Sequence, residues 1–360
     1  MHIVSASVIP CHQRMRDATW KFARATVSHI EGQLLSLTDD AGTTGLGYAH
    51  AIPAITTHGE GARSALELLI PLLEGRRLDE IAAIMEDVDR SLAFSYSVKA
   101  AIDMALHDLL AKRLGVPINV LLGGRMHSEI RLARILAIKS PAEMGTNAAA
   151  LAEGGYRQLK LKLSGDTALD LSRVASVRDA VGPDVVLTLD PNQSYNAKQM
   201  MAAFARMEKH DIALIEQPVP ANDWDGLALL TRSLPAAIEA DESAVTVQDV
   251  YRLVSGRVVD VINLKVTKLG GFRNFMQAVR ICEAAGVVCR VGAAFGPTLM
   301  QAMNAQAASA IKSLPYACEL SEHNNLLDDP FTALSISDGV LKVPQSSGCG
   351  ITFAGEPDAS

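Results

Sequence analysis

The sequence is short of several things, and each shortage excludes a class of protein. No apolar stretch approaches the ~20 residues that cross a bilayer, and the opening MHIVSASVIPCHQRMRD has neither the charged start nor the long apolar run of a secretion signal. A membrane role is therefore not expected, and the cytoplasm is the expected compartment. Aromatic residues make up only 4%. With no basic block or aromatic-basic stripe to track a phosphate backbone, nucleic acid is not an expected partner. The cysteines Cys11, Cys282, Cys289, Cys318 and Cys349 form an odd set with no close CxxC pair. Neither a disulfide framework nor a thiolate zinc site follows, and they read as buried, inert thiols. The nine histidines contain no pair at ligand spacing, and His107 falls in a helical segment, so none is assigned to catalysis.

What remains describes a compact globular protein. At 360 residues the chain exceeds the usual size of one hydrophobic core, so two structural units, or a large barrel with an added domain, are expected. Apolar residues at 49% against charged residues at 20% supply that core and argue against disorder.

Residues 1–125 read as strands followed by helices, an α+β unit. VSASVIP alternates, and ATVSHIEGQLLSLTDDAGTTGLGYAH is hairpin-like, with turn chemistry at Asp-Asp-Ala-Gly. ARSALELLIPLLEG, LDEIAAIMEDVDRSL and SVKAAIDMALHDLLAKRLG then carry apolar residues at helical spacing. Over residues 126–328, eight short apolar strands alternate with helices: IRLARILAI, RQLKLKL, DVVLTLD, IALIEQP, AAIEADE, VDVINLKV, VVCRV and YACEL. Such a repeat favours a parallel sheet, and eight units fit a closed barrel better than a doubly wound open sheet. Residues 329–360 contain one more alternating segment, TALSISDGVLKVP, expected to return and pair with the N-terminal unit.

Charge inside such a barrel needs a reason. Four successive strands end in it: Asp190, Glu216, Asp241 and Lys265, at intervals of 26, 25 and 24 residues. Near-constant spacing places all four at one level on the carboxyl end, where barrels keep their active sites. In Leu159-Lys160-Leu161-Lys162-Leu163, period-two geometry sends the leucines to one face and both lysines to the other. Alone, this is an ordinary half-solvated strand. Beneath an outer layer of helices the lysine face can only be the barrel interior, with Lys162 nearer the mouth and Lys160 one layer deeper. Three carboxylates converging there repel one another unless a cation intervenes, and oxygen-only ligands favour Mg2+, or Mn2+, over zinc. The plainer alternative is a set of salt bridges to Lys160 and Lys162.

At these residues the sequence resembles the enolase superfamily and, within it, the muconate lactonizing enzyme subgroup. Lys160-Leu161-Lys162 resembles the subgroup's Lys-x-Lys, and LDPNQ, IEQP and ADES resemble its three ligand segments. INLKVTKLGG resembles the sixth-strand lysine segment, and AAIDMALHDLLAKRLGVPINVLLGG the last helix of the capping domain. The match runs over nearly the whole chain. The resemblance implies an α/β fold, a modified TIM barrel (β/α)7β with an N-terminal α+β capping domain. It implies Mg2+ ligation by Asp190, Glu216 and Asp241 and paired bases Lys162 and Lys265. Lys160, Asn192 and Glu242 become supporting residues, and Lys268 a further cation nearby. The implied step removes the proton α to the carboxylate of a small-molecule substrate through an enediolate.

Which reaction follows stays open. Paired lysines fit racemisation or epimerisation of an amino-acid derivative, and they also fit a cycloisomerase or a dehydratase of a hydroxylated cyclic amino acid. Dipeptide epimerases of the subgroup resemble one another in an Asp-x-Asp on the eighth strand. Here Cys318-Glu319-Leu320-Ser321-Glu322 stands instead, which argues against a dipeptide and makes Glu319 a candidate substrate contact. Arg14, Trp20, Lys21 and Phe22 occupy the place of the family's substrate-covering loop and are candidates to hold a second anion or a ring. Gly270-Gly271 reads either as a helix start that accepts an anion or as a tight turn. A Schiff-base lyase using Lys265, and a barrel that only binds ligands, are the alternatives of other classes. Homo-oligomer formation is left open.

Overall fold

The computed structural model describes residues 1–292 and 294–354. In the N-terminal unit, β1 (Ile3–Arg14), β4 (His29–Asp39) and β5 (Thr44–Ala51) form an antiparallel sheet in the order β1-β4-β5. A small hairpin, β2 (Trp20–Phe22) and β3 (Ala25–Val27), fills the connection between β1 and β4. The Asp-Asp-Ala-Gly turn forms as expected. The Asp39 carboxylate accepts from the backbone N–H groups of Ala41 and Thr43, and Gly42 takes the left-handed φ of 77° that suits a residue without Cβ. Helices α1 (Gly59–Leu69), α2 (Ile81–Ser91) and α3 (Tyr96–Leu114) then pack on the sheet through Leu66, Leu69, Ile84, Val88, Ile102 and Leu106, all fully buried with Leu35 and Leu37. The short α4 (Ile118–Leu121) leads out of this unit.

The second unit begins with β6 (Glu129–Arg131) and β7 (Arg134–Leu136). Its parallel strands are β8 (Gln158–Lys162), β9 (Val186–Asp190), β10 (Ile212–Glu216), β11 (Ala237–Ala240), β12 (Val261–Leu264) and β13 (Val288–Val291). Together with β7 they form one seven-stranded sheet in sequential order. The crossovers are α5 (Pro141–Glu153), α6 (Thr167–Val181), α7 (Ala197–Met207), α8 (Trp224–Ser233), α9 (Val247–Ser255), α10 (Val266–Leu269) and α11 (Phe272–Ala285), with α12 (Thr298–Ser309) after β13. The eighth expected strand shrinks to a bridge between Cys318 and Leu132. Even so, Cys318 N–H donates to Arg131 O, Ala133 N–H donates to Cys318 O and Glu319 N–H to Val291 O, so this short segment bridges the β6–β7 junction and β13 and closes the ring. The mixed α/β barrel expected from the alternation is therefore present, and no described helix is long and apolar enough to cross a membrane.

Two readings change. The first strand, read as continuous, breaks at residues 132–133 into β6 and β7. The tail hairpin β14 (Ile336–Ser337) and β15 (Val340–Lys342) pairs with β6 and not with the N-terminal sheet. These changes share a cause: β6 turns out of the barrel and leaves an edge that β15 covers. Contact with the N-terminal unit comes later in the tail, where Cys349 N–H donates to Asp108 of α3 and Ile118 N–H donates to Gly348 O.

Helix α3 joins the two units, which explains why nearly all its residues are buried. Asp103 Oδ1 accepts the Phe272 N–H at 2.6 Å, at the start of α11. Gly271, at φ 120°, passes so close that a Cβ there would stand 2.4 Å from Asp103 Cβ. Gly270-Gly271 thus does lead into a helix that accepts an anion, and the anion is the protein's own carboxylate. Asp103→Ala should lower the unfolding free energy by about 2 kcal/mol in urea denaturation, with Asp103→Asn losing roughly half as much because it keeps an acceptor.

Two other buried histidines bear on how stability changes with pH. His50 on β5 is 2% exposed and His323 is 8% exposed. Burial lowers both to about 4 from an ordinary 6.5, with the Lys265 ammonium adding to the effect at His50 and Arg134 at His323. Each ring is neutral when folded, while the unfolded chain takes up a proton below about 6.5. Their stabilisation is therefore complete above pH 6.5 and is lost as pH falls towards 4. Unfolding free energies measured between pH 7.5 and 5 should decline with acid, by on the order of 3 kcal/mol per ring at the limit. His50→Gln should flatten part of that slope.

Candidate active site

The expected charged residues come together at the carboxyl end of the barrel. Leu159, Leu161 and Leu163 are fully buried among the apolar core, while Lys160 and Lys162 point the other way, into the interior. Parallel pairing of β8 with β9 sets Lys162 opposite Asp190. Its ammonium binds the Asp190 carboxylate and Asn192 Oδ1, the latter at 2.9 Å, and lies 5.8 Å from the Phe22 ring centre. Asn192 takes the left-handed conformation, φ 45°, that turns its side chain back towards the lysine. On the far side, Lys265 Nζ donates to Asp241 Oδ2 at 2.6 Å, and Lys268 Nζ to Asp241 Oδ1 at 2.6 Å. Lys268 also binds the carbonyls of Asp241 and Asn263, which ties it to the backbone. One layer below, Lys160 donates to Glu216 Oε2 at 3.0 Å and Glu319 Oε2 at 2.7 Å.

Each charge is set by its neighbours. Burial would raise Glu216, but Lys160 and Arg290 outweigh it and bring the carboxyl down to about 2. Burial likewise opposes ionisation of Asp241, and Lys265 and Lys268 hold it far below the usual carboxylate range. Burial alone would lower Lys265; the Asp241 and Glu216 carboxylates reverse this and keep the ammonium above its ordinary value. Lys268 goes the other way, lowered by burial despite Asp241.

Above this floor lies a cavity of about 480 Å3. Lys160, Lys162, Asn192, Asp241, Glu242, Lys265 and Lys268 line its barrel side, and Asp190 and Glu216 sit behind the lysines. The N-terminal unit supplies a largely apolar roof that includes Trp20, Phe22, Ile55, Phe94 and Tyr96. Trp20 and Phe22 therefore stand where the sequence placed them, with Trp20 packed edge-on against Phe295 at 4.6 Å. Three other expected substrate contacts do not. Strand alternation turns Lys21 outward between its buried neighbours, and Arg14 at the end of β1 is exposed in a salt bridge with Asp328. Glu319 is fully buried below the cavity between Lys160 and Arg290.

Several residues escaped the sequence reading. Gln217 Oε1 accepts the backbone N–H groups of Asp241 and Ser243, each at 3.0 Å, and so fixes the loop that carries Asp241. Asn263 Nδ2 donates to Glu216 Oε1 at 3.1 Å. Arg24, at the β2–β3 turn, reaches the cavity where Arg14 and Lys21 do not. Gln217 directly follows the strand-end Glu216 and Asn263 stands two residues before Lys265 on the same inward face, a signal that could have found them; Arg24 has no such marker.

Among the described residues no group of three or more His, Cys, Asp or Glu side chains is gathered into a ready metal cage, because the carboxylates are drawn to ammonium groups. The donor chemistry nevertheless suits a hard divalent ion. All the candidate ligands are carboxylate oxygens on neighbouring strand ends, and Glu242 Oε2 beside them is out of water without a partner. Burial, then the Asp241, Asp190 and Glu216 carboxylates, push Glu242 up to about 7, which marks where negative charge accumulates.

Comparison with known proteins agrees with this geometry. A family model described as "Mandelate racemase / muconate lactonizing enzyme, N-terminal domain" matches residues 5–123, and one described as "Enolase C-terminal domain-like" matches residues 143–357. The chain is 33% identical to the hydrophobic dipeptide epimerase of Enterococcus faecalis over 277 residues, covering 76% of this chain and 77% of the relative. It is 30% identical to muconate cycloisomerase 1 of Rhodococcus opacus over 341 residues, covering 92% and 91%. The crystal structure of the dipeptide epimerase from Enterococcus faecalis V583, complexed with Mg and L-Leu-L-Tyr, superposes with a TM-score of 0.94 at 30% identity, covering 98% of this chain and 100% of that one. With both units matched, the chain belongs to the mandelate racemase/muconate lactonizing enzyme family of the enolase superfamily.

Proposed function

We propose that this protein abstracts the proton α to a substrate carboxylate and returns one from the opposite face, racemising or epimerising an amino-acid derivative, with Lys162 and Lys265 as the acid/base pair. The observation that carries the reading is that these two lysines, from β8 and from the end of β12, line one cavity while each is bonded to a different strand-end carboxylate. Strands two and six of a barrel lie nearly across from each other, so two ammonium groups there address opposite faces of one carbon. In each direction one lysine accepts the proton as a free amine while the other donates as an ammonium, so a single pair serves both stereoisomers.

In this reading Asp190, Glu216 and Asp241 would hold Mg2+ or Mn2+, which would supply fixed positive charge to offset the negative charge of a substrate carboxylate as its α-proton leaves. Asn192 orients Lys162, and Lys268 holds Asp241 from the other side. Gln217 fixes the Asp241 loop. Trp20 and Phe22 cover the cavity and keep water from the amine that must stay unprotonated. The five unpaired cysteines support a reducing compartment, the cytoplasm.

Cycloisomerisation is the second reading, favoured by the alignment with muconate cycloisomerase 1 over 92% of the chain. A Schiff base would need Lys265 alone and leaves Lys162, bonded to Asp190 in the same cavity, without a role.

Screening N-acylated amino acids and dipeptides in heavy water should find a substrate whose α-position exchanges in both stereoisomers. Lys162→Ala and Lys265→Ala should each lower turnover about 10³-fold and leave exchange from one stereoisomer only. Chelation should abolish activity, with Mg2+ or Mn2+ restoring it. Turnover that survives chelation and can be trapped by borohydride would overturn the reading in favour of a Schiff base, whereas turnover without α-exchange would favour cycloisomerisation.

A further inference from the structure

We propose that Arg290 is a positioning residue for Glu216: with Lys160 it occupies Glu216 Oε2 and leaves Oε1 as the single oxygen through which Glu216 can meet a divalent cation. The proposal rests on the assignment of Glu216 as a metal ligand made above, and it adds which oxygen is used and what selects it.

The argument starts from a count of acceptor positions. A carboxylate offers about two lone-pair sites on each oxygen. Glu216 is fully buried, so protein groups must fill them. Oε2 accepts from Lys160 Nζ and from Arg290 Nη1, each at 3.0 Å, which uses both its sites. Among the described residues Oε1 accepts only from Asn263 Nδ2, at 3.1 Å, and keeps one.

Arg290 is itself held in one plane. It lies on β13 with no exposure, and its Nη1 also donates to Glu239 Oε2 at 2.6 Å. Its Nη2 donates to Glu319 Oε1 and its Nε to Ala317 O at 3.3 Å. Donors are thus fixed on three sides of a planar fork, and the fourth direction is Glu216. As a way to fill a core this is poor, since apolar side chains of similar volume commonly stabilise a protein as well or better than a buried ion pair. A guanidinium bonded directly to a strand-end carboxylate has a different use: it fixes the orientation of that carboxylate, as partners behind metal ligands do.

The test removes Arg290 together with the Glu239 carboxyl that it binds. In Arg290→Met/Glu239→Met, Glu216 keeps Lys160 and Asn263 but loses the fork. Circular dichroism checks the fold, and calorimetric titration with Mg2+ alone reads affinity without reference to turnover. We expect the dissociation constant to rise roughly tenfold or more. Arg290→Lys, which keeps the charge but not the planar fork, should weaken Mg2+ at least about threefold and decides the matter if the double variant does not fold. Wild-type Mg2+ affinity in folded Arg290→Lys overturns the proposal, as would a Mg2+-loaded crystal structure with Glu216 Oε2 as the ligand. Glu216→Gln separates the two levels: if it leaves Mg2+ affinity unchanged, the ligand assignment itself fails. If it weakens Mg2+ while Arg290→Lys does not, only the role of Arg290 fails.

Discussion

Inside the barrel, Lys160, Lys162, Lys265, Lys268 and Arg290 lie largely out of water, and their charges are tolerable only because carboxylates stand within bonding distance of each. Burying any one of these groups alone would cost several kcal/mol, and removing one partner of such a pair typically costs about 3–5 kcal/mol. The rest of the design follows from that constraint. Strands must be parallel and closed so that their ends share one level, and helices must cover the outside so that the apolar residues of β8 face a core. The N-terminal unit must roof the mouth, or water would screen the charges that the interior concentrates.

The two units accordingly divide the work. In the proposed reading the barrel holds the groups that move protons, and the loop carrying Asp241 is stiffened by Gln217, which accepts from the backbone N–H groups of Asp241 and Ser243. The N-terminal unit contributes mainly apolar surface, with Trp20 and Phe22 themselves buried in a small cluster with Ile135 and Phe295. Helix α3 keeps floor and roof in register through Asp103, whose carboxylate ends at the first turn of a barrel helix.

Much of this was legible in the sequence. Spacings of 26, 25 and 24 residues between strand-end charges can arise only if one structural unit repeats, and the Leu-Lys alternation of 159–163 could only mean lysines in the barrel once helices covered the outside. The errors fell where local pattern and tertiary pairing diverge. TALSISDGVLKVP has the alternation of a strand, but alternation does not name a partner, and β6 offered an open edge closer than the N-terminal sheet. Arg14 and Lys21 were grouped with Trp20 and Phe22 by proximity in the chain, although period-two geometry turns Lys21 to the opposite face from its neighbours.

By itself the sequence determined the fold class and the shared level of Lys162, Asp190, Glu216, Asp241 and Lys265, because periodicity and spacing are properties of the chain alone; Asn192, Glu242 and Lys268 came from the family resemblance. Only the tertiary structure decided which charges pair. Arg290 is a single charged residue in an apolar strand, and nothing local reveals that its guanidinium meets Glu216 of β10, Glu239 of β11 and Glu319 of the closing segment. Pairings of that kind are set when the ring closes, for the physical reason that a buried charge takes whichever opposite charge the closed barrel brings within reach.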